Sequence, residues 1–247
     1  MINSLKGSLL LALLLSLTSH SVQAQLFSAD QQAPIRRPLN ATTFLTLSIE
    51  SVDFQFKGDT PLNPLVSNDL SFNNRVVSFG FETPTFLASL ALGGSLTGLP
   101  DQQSFVSLKI KIAAFQLRLL QTRFLTFQIP VEILTDITSV QDSTPGDDFQ
   151  QSSFAFGGSG RINIRIANNL RLQSTTGYHY GFGVSRGGFF GGESYFIENT
   201  NRLVIGNLIP GQPIVLGYGY KFRSYDIEGN LFDYDLGAHT FSIGIPF

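Results

Sequence analysis

The 247-residue chain holds no Cys and no Trp, and its 16 Lys and Arg stand against 18 Asp and Glu. Lack of Cys excludes a disulfide framework and a lipidated cysteine, and the near-balance of charge excludes a basic face of the kind that binds nucleic acid. Charged residues are 14% of the chain, below the roughly 25% of a soluble domain, while Phe reaches 23 and Gly 24, so the apolar side chains either fill a large core or turn toward lipid.

Residues 1–24 read as a cleaved secretory leader. Lys6 gives the basic start, Leu9 to Leu17 the apolar centre, and Val22-Gln23-Ala24 a small-x-small cleavage site. The apolar run is short against the about 20 residues that span a bilayer. Losing Lys6 with the leader moves the net charge from −2 to −3. Residues 25–41, with Pro34 and Pro38, form an aperiodic lead-in, and 42–247 hold the folded domain. No later stretch approaches about 18 continuous apolar residues, so spanning helices are excluded and a closed barrel is the other structure that satisfies its backbone in lipid.

Ten strand-like segments follow, at 42–56, 75–83, 86–97, 105–117, 123–134, 153–166, 170–183, 194–206, 213–223 and 233–247. Each is near the about 9–11 residues of a tilted barrel strand or slightly longer. Alternate connections are mostly long (57–74, 98–104, 135–152, 184–193, 224–232) and mostly short (83–85, 118–122, 168–169, 207–212). Asn168-Asn169 suits a two-residue hairpin, because Asn tolerates positive φ. The pattern predicts an all-β, antiparallel up-and-down barrel of about ten strands; eight remain if the first two segments, or 194–206, are not strands.

The segments differ in how cleanly they alternate. In 42–56, Leu45, Leu47 and Ile49 share one parity and Val52, Phe54 and Phe56 the other, which predicts a β-bulge near Ser51. In 123–134 an apolar row from Leu125 to Ile133 opposes Thr126, Gln128 and Glu132. The row Phe154, Phe156, Ile162, Ile164, Ile166 opposes Ser159, Arg161, Asn163 and Arg165; Tyr178, Tyr180 and Phe182 oppose Arg171, Gly177 and His179. Tyr218, Tyr220 and Phe222 oppose Gly217, Gly219, Lys221 and Arg223. Given antiparallel strands, Phe154, Phe156, Tyr178, Tyr180, Phe182, Tyr218, Tyr220 and Phe222 all gather toward one end. Rings at one height form the aromatic girdle of a membrane barrel, a feature a soluble sandwich has no reason to build.

The residues of inward parity are the candidates for function: Glu50, Lys109, Lys111, Glu132, Arg161, Arg165, Arg171, His179, Glu198, Arg202, Lys221 and Arg223. They either line a narrow aqueous path, weakly favouring anions, or pair across the lumen and plug it. His179 and His239 are the histidines of the mature chain. His239 has the outward parity of Phe241, whereas His179 points inward and is the candidate general base. Segment 135–152 carries Asp136, Asp142, Asp147 and Asp148; these are either Ca²⁺ ligands or a solvated acidic loop, and their spacing fits no recognised calcium motif. Loop 184–193 sets Phe189-Phe190 between glycines. The Gly pairs at 93–94, 157–158 and 187–188 precede no helix, so they are no nucleotide sites. No cofactor or metal spacing is present.

The chain ends His239-Thr240-Phe241-Ser242-Ile243-Gly244-Ile245-Pro246-Phe247. A strand with Phe241, Ile243, Ile245 and Phe247 on one face, closing the chain on an aromatic, resembles the last strand of small bacterial outer-membrane β-barrel proteins. The resemblance implies short turns on the periplasmic side, a girdle near the extracellular side, and a C-terminal signal read by the barrel-assembly machinery. It implies lipid of the outer membrane as surroundings and extracellular loops available to an unidentified surface ligand. For activity, the leading expectation is a non-enzymatic structural or surface-interaction role. The alternatives are a narrow channel for ions or small solutes, an outer-membrane enzyme using His179, and a soluble secreted β-sandwich.

Overall fold

The computed structural model describes residues 43–58, 70–97, 103–142, 148–185, 190–209, 212–227 and 233–246. The leader, the lead-in, Phe189, Asp147 and Phe247 lie outside them. Ten strands follow in chain order: β1 (Phe44–Phe56), β2 (Phe72–Glu82), β3 (Phe86–Gly94), β4 (Ser104–Gln121), β5 (Leu125–Gln141), β6 (Asp148–Ala167), β7 (Leu170–Ser185), β8 (Phe190–Ile209), β9 (Gln212–Asp226) and β10 (Tyr234–Pro246). Each pairs antiparallel with its sequence neighbour, and β1 pairs with β10 from Phe44↔Pro246 to Phe56↔Tyr234, closing the barrel. Closure leaves the body of the sheet without a free edge.

Several expectations need correction. Segment 135–152 is mostly strand: β5 runs to Gln141 and β6 starts at Asp148. β7 and β8 likewise extend into 184–193, and β9 reaches Asp226. In the other direction, β3 stops at Gly94, before a single 3-10 turn over Ser95–Thr97. Gly94 has φ +63°, and a Cβ there would lie 1.9 Å from the Gln103 carbonyl oxygen, so the corner requires glycine.

The bulge expected at Ser51 is absent, since β1 runs in unbroken register against both β2 and β10. The change of parity has another cause: both faces of the wall invert in polarity at one height. Below it, Leu45, Leu47 and Ile49 are exposed on the outside while Ser48 and Glu50 are buried inside. Above it, Ser51 and Asp53 face out and Val52 and Phe54 are buried. The same exchange occurs on β2, where Phe79 and Ser78 give way to Arg75 and Val76, and on β6, where Phe154 gives way to Ser152. Register sets these positions level with one another, Ser51 against Arg75 and against His239. The lower part is built like a membrane barrel and the upper part like a soluble one, so the upper strands form a filled stalk.

An apolar core fills that stalk. Phe54, Phe72, Phe105, Phe149, Phe196, Leu134, Leu236, Val140 and Tyr225 belong to one buried cluster inside the upper barrel. Phe149 is its hub, with ring centroids 4.9 Å from Phe54, 5.3 Å from Tyr225 and 4.7 Å from Tyr234.

Candidate functional site

Beneath the apolar core, alternation delivers charged side chains to the inner wall, and closure brings distant strands within reach. Lys109 of β4 donates to Glu198 of β8 at 2.5 Å, and Arg202 of β8 to Glu82 of β2 at 2.5 Å. Arg161 of β6 stands 3.8 Å from Glu82, and Arg223 of β9 lies 2.8 Å from Asp136 of β5. In all four pairs the strands are four places apart around the ring, so these bonds cross the lumen. Lys221 pairs with Glu50, whose other oxygen accepts from Ser78 at 2.6 Å. Lys111 lies 3.3 Å from Glu132 and 3.6 Å from Glu198, joining two of these groups. In a wall of low dielectric an unpaired charge is far costlier than a paired one, so the lumen is consistent only as a set.

Arg223 sits at the seam between the charged and apolar layers. Its Nη1 donates to Ser107 Oγ at 2.9 Å, Thr138 Oγ1 at 2.9 Å and Asp136 Oδ2 at 3.0 Å, while Tyr225 OH reaches Asp136 Oδ2 at 3.2 Å. Asp136 is therefore a strand residue at 0% exposure, which corrects the expectation that it lies in a loop, whether solvated or holding Ca²⁺. Glu82, Ser107, Thr138 and Tyr225 join the inner set without having been singled out in the sequence. Glu82 did carry a signal, since Ser78, Gly80 and Glu82 alternate with Val77, Phe79 and Phe81.

His179 is on the inner wall at 0% exposure, with Nε2 3.0 Å from Glu132 Oε2. It lies beside the ion-pair layer under the apolar core, sealed from the outer rim where a general base would meet substrate. Glycines frame its ring. A Cβ on Gly157 would stand 2.0 Å from the Tyr178 carbonyl oxygen and 2.8 Å from His179 Cδ2, and one on Gly177 3.3 Å from His179 Cε1. The first obstacle is backbone and cannot step aside. Gly157→Ala is thus expected to lower stability by about 1–3 kcal/mol, the cost of overpacking, read as a lower urea midpoint for the refolded barrel; an unchanged midpoint would contradict the tight approach.

Nearer the chain termini, Arg171 and Arg202 stand over the Phe44 ring, 5.9 and 5.2 Å from its centroid. Arg165 of β6 shares that end with Arg171.

The outer surface carries the aromatic rows. Phe154 pairs with Phe182 and Phe156 with Tyr180 across β6 and β7, and Tyr180 with Tyr195 across β7 and β8. Tyr178, Tyr218 and Tyr220 are exposed as well, and Phe222 is half-buried on the same outward parity. His239 faces out among them, its Nδ1 2.9 Å from Tyr218 OH and its ring 5.0 Å from that of Tyr220. Below the rings, Ile162, Ile164, Leu216, Phe241, Ile243 and Ile245 are exposed. A closed antiparallel barrel with an apolar outer belt, a ring of interfacial aromatics and an ionised interior is built for lipid on the outside. The chain folds as a β-barrel of the transmembrane kind.

No protein-family model and no curated protein sequence matches this chain. Among solved structures it is similar to the outer membrane protease OmpT of Escherichia coli at 9% identity and a TM-score of 0.38, covering 88% of this chain and 98% of that one. The translocator domain of the autotransporter NalP from Neisseria meningitidis gives 11%, 0.34, 96% and 96% for the same measures. The attachment invasion locus protein Ail of Yersinia pestis gives 13%, 0.28, 83% and 98%.

Proposed function

We propose that this barrel is a non-conducting, non-enzymatic outer-membrane protein whose role is structural and directed at the cell surface. The observation that carries the reading is the filled lumen: an apolar core in the stalk, resting on ion pairs that cross from strand to strand. A conducting path would have to break both layers. The stalk instead carries the outer ends of the strands above the lipid, a suitable mount for contact with a surface ligand. Lipid covers the belt, and the barrel-assembly machinery is the partner during insertion, reading Phe241, Ile243, Ile245 and Phe247. Nucleic acid and cofactors have no place in this reading.

The test is planar-bilayer conductance of refolded protein whose compact fold is verified by its mobility on an unboiled gel. Folded protein is expected to give no reproducible current steps. Steps of constant size with an anion preference would overturn the proposal in favour of a channel.

A further inference from the structure

The end of the barrel away from the stalk is not filled. The β4–β5 hairpin runs on to a turn at residues 122–124, and β4 carries irregularities at Ala113/Phe115 and Arg118/Leu120 that bend it. Gln116 Nε2 donates to the Pro84 carbonyl of the neighbouring turn at 2.5 Å, tying the hairpin to that turn. Between this hairpin and the β6–β7 wall lies an open cavity of ≈ 590 Å³. That is within the about 300–1,000 Å³ of small-molecule sites.

Its lining has one sign of charge. Arg118, Arg123, Arg161, Arg165 and Arg171 contribute to it, and among the described residues no carboxylate does. The nearest carboxylate in the ion-pair layer, Glu82, is held by Arg202 at 2.5 Å and reaches Arg161 only at 3.8 Å. Arg118 donates to the neutral Gln121 at 3.3 Å, and Arg123 lies over the Phe124 ring at 5.5 Å. Neither contact neutralises charge. Guanidinium groups stay protonated, and a concave wall of low dielectric focuses their field. Arg161 joins this mouth to the layer above it, where cations meet carboxylates. Turns and termini place it on the periplasmic side, and Leu117, Leu119, Leu120 and Phe124, exposed on the same hairpin, set it at the lipid boundary.

We propose that this vestibule binds a phosphate-bearing anion from the periplasmic side. Several converging guanidiniums favour a group with two or more negative oxygens, which they hold by paired, charge-assisted hydrogen bonds. A phospholipid headgroup of the inner leaflet and a free phosphorylated solute share this chemistry.

The full chain, folded in zwitterionic detergent, would be titrated calorimetrically with pyrophosphate, alongside the R118Q/R165Q double variant. Both side chains lie outside the ion-pair layer, and gel mobility would verify that the variant folds. Pyrophosphate is expected to bind the parent and to bind the variant at least tenfold more weakly. In a second arm, native mass spectrometry follows lipid retained by the protein from nanodiscs of phosphatidylglycerol and phosphatidylcholine. Selective retention of phosphatidylglycerol by the parent alone identifies a headgroup as the source; pyrophosphate binding without such retention identifies a free solute. Failure of both ligands, or equal binding by parent and variant, would overturn the site.

Discussion

Asp136→Ala is expected to lower the stability of the folded barrel by about 3–5 kcal/mol, the cost of breaking a buried ion pair from one side. The residue left behind sets the sign and size. Arg223 would remain at 1% exposure, its ion-pair partner lost and the Ser107 and Thr138 hydroxyls left as hydrogen-bond acceptors. Arg223→Met should be milder, because Asp136 keeps donors from Thr138 at 2.9 Å and Tyr225 at 3.2 Å. The double variant Asp136→Ala/Arg223→Met is expected to recover much of the loss, since no buried charge then lacks a partner. Urea unfolding of the four proteins in lipid vesicles closes the cycle. Strictly additive losses would mean the two side chains are not coupled, and the cross-lumen pair would lose its standing as a closure of the barrel.

Phe149→Ala carries the second large effect. The ring touches three others and is 5% exposed, so its removal opens a cavity in the stalk at a cost of about 3–5 kcal/mol. The loss should be local. The core of the stalk is separate from the lipid-facing belt, which is held by different contacts. Hydrogen exchange is therefore expected to quicken at the outer ends of β5 and β6, around residues 134–155, while amides level with Ile162 and Ile243 stay protected. The variant should remain non-conducting, because the ion-pair layer below is untouched. Uniform loss of protection along β6 would show that stalk and membrane barrel form one cooperative unit.

The two effects fall on residues that the sequence treats very differently. Phe154, Tyr178 and Tyr218 are legible from alternation alone, because each strand's pleat sends successive side chains to opposite faces. The inner position of Glu50, Lys109 and Arg202 follows from the same local rule. Asp136 escapes it. It lies beyond Ile133, where the outward row changes from aliphatic to Thr135, Ile137 and Ser139, so the pattern of a lipid-facing strand fades although the strand continues. The phase change at Ser51 has the same origin, a change of solvent outside the wall together with a change of filling inside it. Parity separates two faces without saying which of them is wet.

The sequence by itself determined the antiparallel up-and-down order of about ten strands, the side of the wall on which most charged and aromatic residues stand, and the lipid-facing character of the belt, while the structure decided between ten strands and eight. These depend on the local geometry of each strand and on turn lengths. Only the tertiary structure decided that the upper lumen is filled, which cation meets which carboxylate, and that five arginines gather around one open cavity. Those outcomes rest on side chains from strands four places apart around the ring. Their meeting is fixed by closure and by all ten registers acting together, which no single stretch of sequence encodes.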